Sequence, residues 1–549
     1  MTSEVKTPLL SIKNLFIDFK TMDGIVHAVQ EVDLEINAGE TVAVVGESGS
    51  GKSTTAMAII GLLASGGSVS KGSIKLDGVE LVGASESKLR KVRGRDIGMV
   101  PQDPMSNLNP VSKVGTQVAE ALLAHGLATR KNVDDKIIEA LANAGIPEPE
   151  KRAKQYPHEL SGGLRQRVLI AIGLACNPRL LIADEPTSAL DVTVQQTILD
   201  QLAEMTRNRG TSVLLITHDL GLAAERAERV VVMFRGKVVE QGPAKQILES
   251  PKHPYTKSLV KAAPSVAAAR LQPAAFTEQS QAAEKFATTD NLVEMHNLTK
   301  VYPIRGNKED FYAVKDVSLE IPRGKTVSIV GESGSGKTTT ARMLLKVIEP
   351  TSGSILFEGK DISKFTKAET RSFRQRVQPI FQDPYSSLNP MFTIERLVGE
   401  PLEFYKRGSA SERRTKVREL LDQVALPSSM MRRYPSELSG GQRQRVAIAR
   451  ALALQPELIV SDEPVSALDV LVQDQILTLL RDLQKEHGLS YLFISHDLAV
   501  VRLISDYVCV MKDGALVEAA TSEEIFANPR HQYTRKLLAS IPGNALNIA

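Results

Sequence analysis

A phosphate-binding motif occurs twice in this chain, and it constrains the fold more than any other feature. The motif G-x-x-x-x-G-K-[ST] occupies residues 46–53 (the first loop) and residues 331–338 (the second loop). Its glycines let successive backbone N–H groups surround phosphates, its lysine reaches the terminal phosphates, and its hydroxyl binds magnesium. Apolar residues 41–45 and 326–330 precede the loops and predict buried strands. The sequence therefore predicts two nucleoside-triphosphate sites, each between a strand and a helix N-terminus that favours anions.

Both loops offer the same set of groups to a nucleotide. We expect it to be held by Gly46, Ser48, Gly49, Gly51, Lys52, Ser53 and Thr54 in the first half, and by Gly331, Ser333, Gly334, Gly336, Lys337, Thr338 and Thr339 in the second.

The second half of the chain repeats the first at an offset of about 280 residues, which indicates duplication of a whole domain. We predict one domain over residues 1–261, a linker over residues 262–289 and a second domain over residues 290–549. The linker segment is rich in Ala, Gln, Ser and Pro. Because a covalent tether raises the effective concentration of one half for the other, we expect a pseudo-dimer within one chain.

The composition is that of an ordinary soluble protein, with 42% apolar and 24% charged residues among 549. Lys and Arg total 67 and Asp and Glu total 64, so the net charge of +3 argues against a nucleic-acid-binding arm. No apolar run approaches the roughly 20 residues of a membrane span, and residues 1–10 lack a signal-peptide pattern. Cys176 and Cys509 cannot form a disulfide framework or a zinc site. We therefore expect a cytoplasmic location.

Each half has two adjacent acids at the end of a predicted buried strand, Asp184-Glu185 and Asp462-Glu463. Buried carboxylates are costly unless they have a partner or a function. After a phosphate-binding loop, the first acid is expected to bind the magnesium shell. The second is expected to orient or deprotonate the attacking water.

A histidine follows a later strand in both halves, in Ile-Thr-His218-Asp and in Ile-Ser-His496-Asp. We expect each to contact the γ-phosphate and hold the attacking water, so the predicted catalytic residues are Glu185, His218, Glu463 and His496. Strands and helices alternate throughout each half, which predicts an α/β core with a largely parallel sheet.

Two further motifs carry a resemblance to a known family. Leu160-Ser161-Gly-Gly163 and Leu438-Ser439-Gly-Gly441-Gln442 match the signature sequence of the ATP-binding subunits of ABC transporters, and the chain resembles two such subunits fused. Other matching residues are the Q-loop glutamines Gln102 and Gln382, the D-loop aspartates Asp191 and Asp469, and the adenine-stacking aromatics Phe19 and Tyr302.

The resemblance implies the fold and the cofactors. Each half would be an ABC-type P-loop nucleotide-binding domain, with a RecA-like parallel-sheet core, an antiparallel β part and a helical subdomain carrying the signature. ATP would be sandwiched between the loop of one half and the signature of the other: Ser439, Gly441 and Gln442 with Lys52, and Ser161 and Gly163 with Lys337. The residues implied for Mg²⁺ are Ser53, Gln102 and Asp184, and Thr338, Gln382 and Asp462.

The first signature departs from the family pattern, because Leu164 stands where the second has Gln442. A leucine side chain cannot form a hydrogen bond, and one such bond contributes about 1 kcal/mol, or roughly a fivefold effect. We therefore predict two hydrolytic sites that are mildly unequal.

Several stretches resemble one subfamily, the importers of dipeptides, oligopeptides and nickel. They are the Q-loop extensions at residues 102–110 and 382–390, the Tyr156-Pro and Tyr434-Pro segments before the signatures, and the tails His253-Pro-Tyr-Thr and His531-Gln-Tyr-Thr. This resemblance implies two integral-membrane permease subunits and an extracytoplasmic substrate-binding protein on other chains. It also implies a peripheral position on the cytoplasmic face of the inner (plasma) membrane. Each permease would insert a short helix beside Gln102 or Gln382, in a groove formed by the segments that extend to about residues 117 and 395.

The sequence leaves two other functions open. A soluble tandem ABC ATPase acting on ribosomes or DNA would have a long charged linker or zinc cysteines, and an exporter ATPase would have a different Q-loop neighbourhood. The cargo is also open, because dipeptides, oligopeptides, glutathione-like peptides, haem and nickel all suit the resemblance.

Overall fold

The structure is a computed structural model that describes residues 7–21, 24–187, 190–263, 290–303, 310–383, 387–466 and 468–541. Both halves have the same layout within these residues. Each contains a four-stranded antiparallel sheet, a six-stranded and mostly parallel sheet, and helices that cover them. The predicted α/β architecture with a largely parallel core is confirmed.

The first half supplies ten strands in two sheets. They are β1 (Leu10–Thr21), β2 (Gly24–Ile36), β3 (Thr41–Val45), β4 (Gly67–Leu76), β5 (Val79–Glu80), β6 (Ile97–Val100), β7 (Leu180–Asp184), β8 (Ser212–Thr217), β9 (Arg229–Phe234) and β10 (Lys237–Pro243). The antiparallel sheet has the order β2-β1-β4-β5, and the larger sheet has the order β10-β9-β3-β8-β7-β6.

The helices of the first half cover the sheets and form a separate helical region between β6 and β7. They are α1 (Lys52–Ile59), α2 (Glu86–Val92), α3 (Pro104–Asn107), α4 (Val114–Ala124), α5 (Val133–Asn143), α6 (Pro149–Arg152), α7 (Gly162–Leu174), α8 (Val192–Arg209), α9 (Leu220–Arg226), α10 (Ala244–Glu249) and α11 (Pro254–Ala262).

The second half repeats these sheets with ten further strands. They are β11 (Asn291–Tyr302), β12 (Phe311–Pro322), β13 (Thr326–Val330), β14 (Ser352–Phe357), β15 (Lys360–Asp361), β16 (Val377–Ile380), β17 (Leu458–Asp462), β18 (Ser490–Ser495), β19 (Tyr507–Lys512) and β20 (Ala515–Thr521). Their orders are β12-β11-β14-β15 and β16-β17-β18-β13-β19-β20, equivalent to those of the first half.

The described helices of the second half also correspond to those of the first. They are α12 (Lys337–Leu344), α13 (Lys367–Arg376), α14 (Ile394–Phe404), α15 (Ala410–Gln423), α16 (Gly440–Leu452), α17 (Val470–His487), α18 (Leu498–Ile504), α19 (Ser522–Ala527) and α20 (Gln532–Ala539). Residues 384–386 and the predicted linker from residue 264 to 289 lie outside the described residues. The linker was predicted to begin at residue 262, but Ala262 belongs to α11 and is buried, as is Ala263.

The parallel sheet brings the loop and the two acids of each half together. In the first half β3 pairs in parallel with β8, and β8 pairs in parallel with β7. The carboxyl ends of these strands therefore meet at one edge of the sheet, which is where ligands bind in open α/β folds. The first loop follows β3 at this edge, and Asp184 ends β7 there.

The two halves pack directly against each other. Val470, at the start of α17 in the second half, is 5% exposed and belongs to the hydrophobic core of the first half. Helix α11 packs on α17, and α20 packs on α8. The predicted pairing of the halves within one chain is thus present as an extended contact.

No helix among the described residues is both long enough and apolar enough to span a bilayer.

Gly46 occupies the tightest point of the first loop. Its φ is +154°, and an added Cβ would lie 2.2 Å from the Met233 carbonyl oxygen on β9. That distance is too short for any side-chain carbon, so the loop or β9 would have to move. Gly331 has the same relation to Met511 in the second half, also at 2.2 Å.

We predict that Gly46→Ala removes one of two nucleotide sites, because the added methyl group displaces the loop from β9. The measurement is the stoichiometry of binding of a fluorescent ATP analogue. Gly39→Ala is the matched control, since Gly39 also has a positive φ (+77°) but has no atom within 4 Å of an added Cβ. Gly39→Ala should cost only about 1–2 kcal/mol of backbone strain and should keep both sites. Equal loss in both variants would contradict the steric explanation.

Candidate nucleotide sites

The lysine of each loop lies inside it. The Lys52 ammonium donates to the carbonyl oxygens of Gly46 (2.6 Å) and Glu47 (2.8 Å), and the side chain is 6% exposed. Lys337 makes the same bonds in the second loop, at 2.8 and 2.9 Å. Burial lowers the pKa of Lys52, although Glu185 and other carboxylates oppose this shift. A buried cation surrounded by a loop of glycines is suited to phosphate binding.

The other loop residues have the geometry that the motif requires. Gly51 and Gly336 adopt left-handed conformations directly before α1 and α12. Gly49 and Gly334 also have positive φ, of 76° and 81°. Thr54 and Thr339 lie in the first turns of the two helices.

A hydroxyl and a carboxylate meet beside each loop, as expected of a magnesium site. The Ser53 hydroxyl donates to Asp184 (Oγ–Oδ1 3.1 Å), and the Thr338 hydroxyl donates to Asp462 (3.2 Å). Among the described residues no three His, Cys, Asp or Glu side chains form a preformed metal cluster. Mg²⁺ takes hard oxygen ligands and is usually bound by one or two carboxylates together with substrate phosphates, so the hydroxyl–carboxylate pair has the chemistry that this ion needs.

The predicted catalytic glutamates are held by the residues predicted to act with them. The Gln102 amide donates to Glu185 (Nε2–Oε2 2.8 Å), and His218 Nδ1 lies 3.3 Å from the other oxygen, Oε1. Gln102 therefore directs its amide nitrogen at the glutamate, and its predicted approach to magnesium stays a prediction.

The second site reproduces this arrangement. Gln382 donates to Glu463 at 2.9 Å, and His496 Nδ1 lies 3.1 Å from it. Glu185 and Glu463 also share a left-handed backbone, with φ of 45° and 47°. Such φ values are uncommon for residues other than glycine and concentrate at functional sites.

The adjacent acids have opposite pKa shifts. Burial raises the pKa of Asp184, in spite of its hydrogen bond from Ser53. Burial would also raise the pKa of Glu185, but His218 outweighs it, with help from Lys52, and holds that pKa below its ordinary value. Burial would lower the pKa of His218, and Glu185 raises it instead. The glutamate is therefore ionised at neutral pH and its histidine is favoured in the protonated form.

The D-loop aspartates cross from one half to the other. The backbone N–H of Ser48 in the first loop donates to Asp469 of the second half (2.8 Å to Oδ1). The N–H of Ser333 in the second loop donates to Asp191 of the first half at 2.7 Å. Burial raises the pKa of Asp191, while the bond from Ser333 and the charge of Lys337 oppose that shift. Both loops are thus contacted by the half to which they do not belong.

One crossing contact occurs at only one site. Thr193 donates from its hydroxyl to Glu332 in the second loop, at 2.7 Å. The equivalent position in the second half is Leu471, which packs on the core of the first half and cannot donate to Glu47. The two interfaces therefore differ in their polar contacts.

The signature residues begin helices, and the departure at Leu164 has a local structural consequence. Ser161 and Ser439 are the N-caps of α7 and α16 and accept from the backbone N–H three residues on, at 3.4 and 3.3 Å. Gln442 returns the bond, since its Oε1 accepts from Ser439 N at 3.0 Å. Leu164 packs against the core instead and leaves this capping box half made.

The signature glycines lie close to the helix that follows the D-loop of their own half. A Cβ at Gly163 would come within 2.8 Å of Val194, and one at Gly441 within 2.3 Å of Val472. Their contact with the nucleotide of the opposite half stays a prediction.

The two predicted adenine-stacking residues differ in their surroundings. Phe19 is half-buried in β1 and packs against Gly67, where an added Cβ would lie 2.6 Å from its ring. Tyr302 ends β11 and is 41% exposed, with the Lys300 ammonium 5.4 Å from its ring centre. The stacking of adenine on either ring stays a prediction.

Sequence reasoning missed two kinds of residue at these sites. Glu47 and Glu332 lie at variable positions of the motif, yet they contact the loop lysines and, for Glu332, the opposite half. Tyr255 and Tyr533 come from the tails and accept hydrogen bonds from the loops, at 2.9 and 3.1 Å. The repeated tail motif was the only sequence signal for the tyrosines.

We predict that Glu185→Gln lowers the pKa of His218, because it removes the carboxylate that most strongly raises that pKa while burial and the weaker charges of Asp219 and Asp469 remain. Proton–carbon NMR of the imidazole signals over pH 5–9 measures this pKa. His496 is the internal control, because its partner Glu463 is unchanged in this variant. The pKa of His218 is raised in the folded chain and that of Glu185 is lowered. The stabilising contribution of the pair is therefore complete between about pH 4.5 and about pH 6.5, and it is lost as pH rises through the raised pKa of His218 or falls through the lowered pKa of Glu185. An unchanged His218 titration would refute the coupling.

Comparison with known proteins finds two family models and a solved structure that are similar to parts of this chain. The family model described as "ABC transporter" matches residues 29–188 and 314–466, and the one described as "Oligopeptide/dipeptide transporter, C-terminal region" matches residues 239–288 and 517–547. The dimeric structure of a bacterial ABC transporter cassette is 35% identical, with a TM-score of 0.39, and covers 42% of this chain and 98% of that chain.

Curated relatives are similar over nearly the whole chain. The glutathione import ATP-binding protein GsiA of Salmonella choleraesuis is 43% identical over 97% of this chain and 89% of its own length. GsiA of Escherichia coli O157:H7 is also 43% identical with the same coverage. The residues, the fold and the relatives agree that this chain belongs to the ABC transporter family, as an ATP-binding, transport-coupled ATPase subunit with two nucleotide-binding halves in one polypeptide.

Proposed function

We propose that this chain is the energy-coupling subunit of an importer for small peptides and that it binds two ATP–Mg²⁺ between its halves. The reciprocal bonds from Ser48 to Asp469 and from Ser333 to Asp191 carry this proposal. Because each loop is already contacted by the opposite half, a nucleotide in one loop lies next to residues of the other. Its γ-phosphate can then favour the closed arrangement of the halves, and hydrolysis removes that contact.

The hydrolytic step uses groups that surround each glutamate. Glu185 is ionised and can orient or accept a proton from the attacking water, while Gln102 and His218 hold its two oxygens. Lys52 provides positive charge for the phosphates, and Ser53 with Asp184 provides oxygen ligands for Mg²⁺. We assign the same roles to the equivalent residues of the second half.

Two differences affect the same site, the one built on Lys337. Its opposing signature contains Leu164, so it lacks one capping hydrogen bond, which is worth about 1 kcal/mol. Its opposing D-loop helix contains Thr193, which adds a hydrogen bond to Glu332. Because these effects have opposite signs, we expect both sites to hydrolyse ATP with affinities that differ by no more than about fivefold.

We predict that Glu185→Gln and Glu463→Gln each lower the ATPase rate and that neither variant keeps the full rate, because both sites contribute. Steady-state phosphate release from the purified chain measures this. The isosteric change keeps the shape of the site and removes only the carboxylate. If one variant retained all the activity, one site would be non-hydrolytic and the proposal of two active sites would fail.

Exposed apolar residues beside the Q-loops support docking of a membrane partner. Val111 and Met105 in the first half are 83% and 62% exposed, and Met391 in the second half is 79% exposed. A cavity of about 310 Å³ in the second half is lined by Phe404, Arg450 and neighbours on β16 and α14, and Arg450 donates to the carbonyl oxygen of Ser387 in the Q-loop extension. We assign these surfaces to two permease subunits, which place the chain peripherally at the cytoplasmic face of the inner membrane.

The cargo is proposed by similarity. The relatives are named for glutathione import, and the tails match a region of oligopeptide and dipeptide transporters. Glutathione is itself a short peptide, so both findings favour short peptides delivered by an extracytoplasmic binding protein. The alternative of a soluble factor for ribosomes or DNA has no support from these relatives.

Purification from native membranes in mild detergent tests the proposal, with mass spectrometry of the partners. We expect two permeases and a binding protein, which can then be titrated with glutathione and dipeptides. Val111→Glu with Met391→Glu should reduce permease recovery by roughly tenfold or more, because a charge must then be buried in the contact. Val347→Glu is the matched control, since Val347 is 66% exposed but follows α12. Recovery with ribosomes or nucleic acid instead would refute the importer.

A further inference from the structure

The tail motif builds a rigid turn at the start of α11. The His253 ring nitrogen Nδ1 accepts from the backbone N–H of Tyr255 at 3.2 Å. The Glu240 carboxylate accepts from the N–H groups of Lys252 (2.8 Å) and His253 (2.9 Å). These bonds fix the position from which the tyrosine side chain leaves the helix.

The second tail is built in the same way. His531 accepts from Tyr533 N at 3.1 Å, and Glu518 accepts from the N–H groups of Arg530 and His531 at 2.7 and 3.0 Å. The replacement of the motif proline by Gln532 therefore leaves the turn intact.

Both tyrosine hydroxyls contact a phosphate-binding loop of their own half. Tyr255 Oη accepts from the backbone N–H of Glu47 at 2.9 Å, and Tyr533 Oη accepts from that of Glu332 at 3.1 Å. The tyrosines are buried, with 8% and 6% exposure. These contacts join residues about 200 positions apart in sequence, so each tail packs directly against the phosphate-binding loop of its half.

The rings are supported differently in the two halves. Phe234 stacks on Tyr255 with 4.2 Å between ring centres. The equivalent position in the second half is Lys512, whose ammonium lies 5.2 Å from the Tyr533 ring centre. The hydroxyl nevertheless reaches the same backbone N–H, so its placement does not depend on one kind of packing.

Two adjacent backbone N–H groups of each loop donate to different parts of the protein, one to the tail and one to the opposite half. In the first loop, Glu47 N–H is held by the tail of its own half, and Ser48 N–H is held by Asp469 of the opposite half. The carbonyl oxygen of Glu47 also accepts from Lys52. Helix α11 packs on α17, which begins directly after Asp469. Loop, tail and opposite half therefore meet at two consecutive residues.

We propose that Tyr255 and Tyr533 are positioning residues of the two ATP sites, each fixing the second residue of its loop through its hydroxyl. The proposal rests on the proposed ATP sites and gives the tail a role in them. With the hydroxyl in place, the loop is held ready for phosphates before nucleotide arrives. Without it, the Glu47 N–H lacks this acceptor and the loop samples other conformations, so binding must first restore order.

Photolabelling with 8-azido-ATP tests the proposal at each site separately. The full chain is titrated with the probe and irradiated, and labelled peptides of the two halves are quantified by mass spectrometry. Tyr255→Phe should raise the concentration for half-maximal labelling of the first half about fivefold, and that of the second half less than twofold. Tyr533→Phe should do the reverse. KM for ATP should rise while kcat stays within about twofold, because the hydroxyl acts on loop conformation and not on the attacking water.

A matched variant separates this role from general stability. Tyr491→Phe also removes a buried hydroxyl, one that donates to the Leu480 carbonyl at 3.0 Å inside the second half. It should lower the unfolding temperature without changing the labelling of either half. Equal labelling by Tyr255→Phe and the unmodified chain would refute the proposal, as would weakening of both halves together.

Lys52→Ala distinguishes failure of this inference from failure of the ATP-site assignment. It should abolish labelling of the first half. If it does and Tyr255→Phe has no effect, only the tyrosine inference is wrong. If Lys52→Ala leaves the labelling intact, the ATP site itself is misassigned and the inference falls with it.

Discussion

A carboxylate from one half accepts a hydrogen bond from the phosphate-binding loop of the other, and the rest of the structure depends on this exchange. Asp469 precedes α17 as its N-cap residue and accepts from Ser48, which lies just before α1. Two helix N-termini from different halves thus converge on one negative charge, which favours both. The same relation joins Asp191 to Ser333. Each sheet is built from strands of one half only, but the pairing of the halves completes the edge where the nucleotide is expected.

The adjacent acids Asp184 and Glu185 are similar groups whose surroundings shift their pKa values in opposite directions. Asp184 ends a strand within the sheet, and burial raises its pKa beside a single hydroxyl. Glu185 leaves the strand with a left-handed backbone and turns toward Gln102 and His218, which keep its pKa low. Two adjacent residues therefore supply one carboxylate suited to binding a metal ion and one suited to orienting the attacking water. Pairs whose surroundings shift their pKa values apart often have distinct chemical roles.

Much of the fold could be predicted because its signals are local. The strand before Gly46, the two acids at the end of β7 and the helix after Ser161 each follow from short patterns. The repeat of the whole pattern then predicted two similar halves. Contacts between distant segments could not be predicted this way. The bond of Tyr255 to Glu47 depends on how α11 packs, and the contact of His218 with Glu185 depends on how the ends of β7 and β8 lie in the sheet.

Fusion of the halves has a consequence for how such a protein changes over time. Thr193 bonds to Glu332 at one interface, while the equivalent Leu471 is apolar at the other. In an assembly of two identical chains, any substitution appears at both interfaces at once, and a harmful change has no intact copy to compensate for it. A single chain that contains two different halves does not have this restriction, because a substitution changes only one interface. Selection can alter one nucleotide site while the other preserves turnover, so inequality can arise in small tolerated steps.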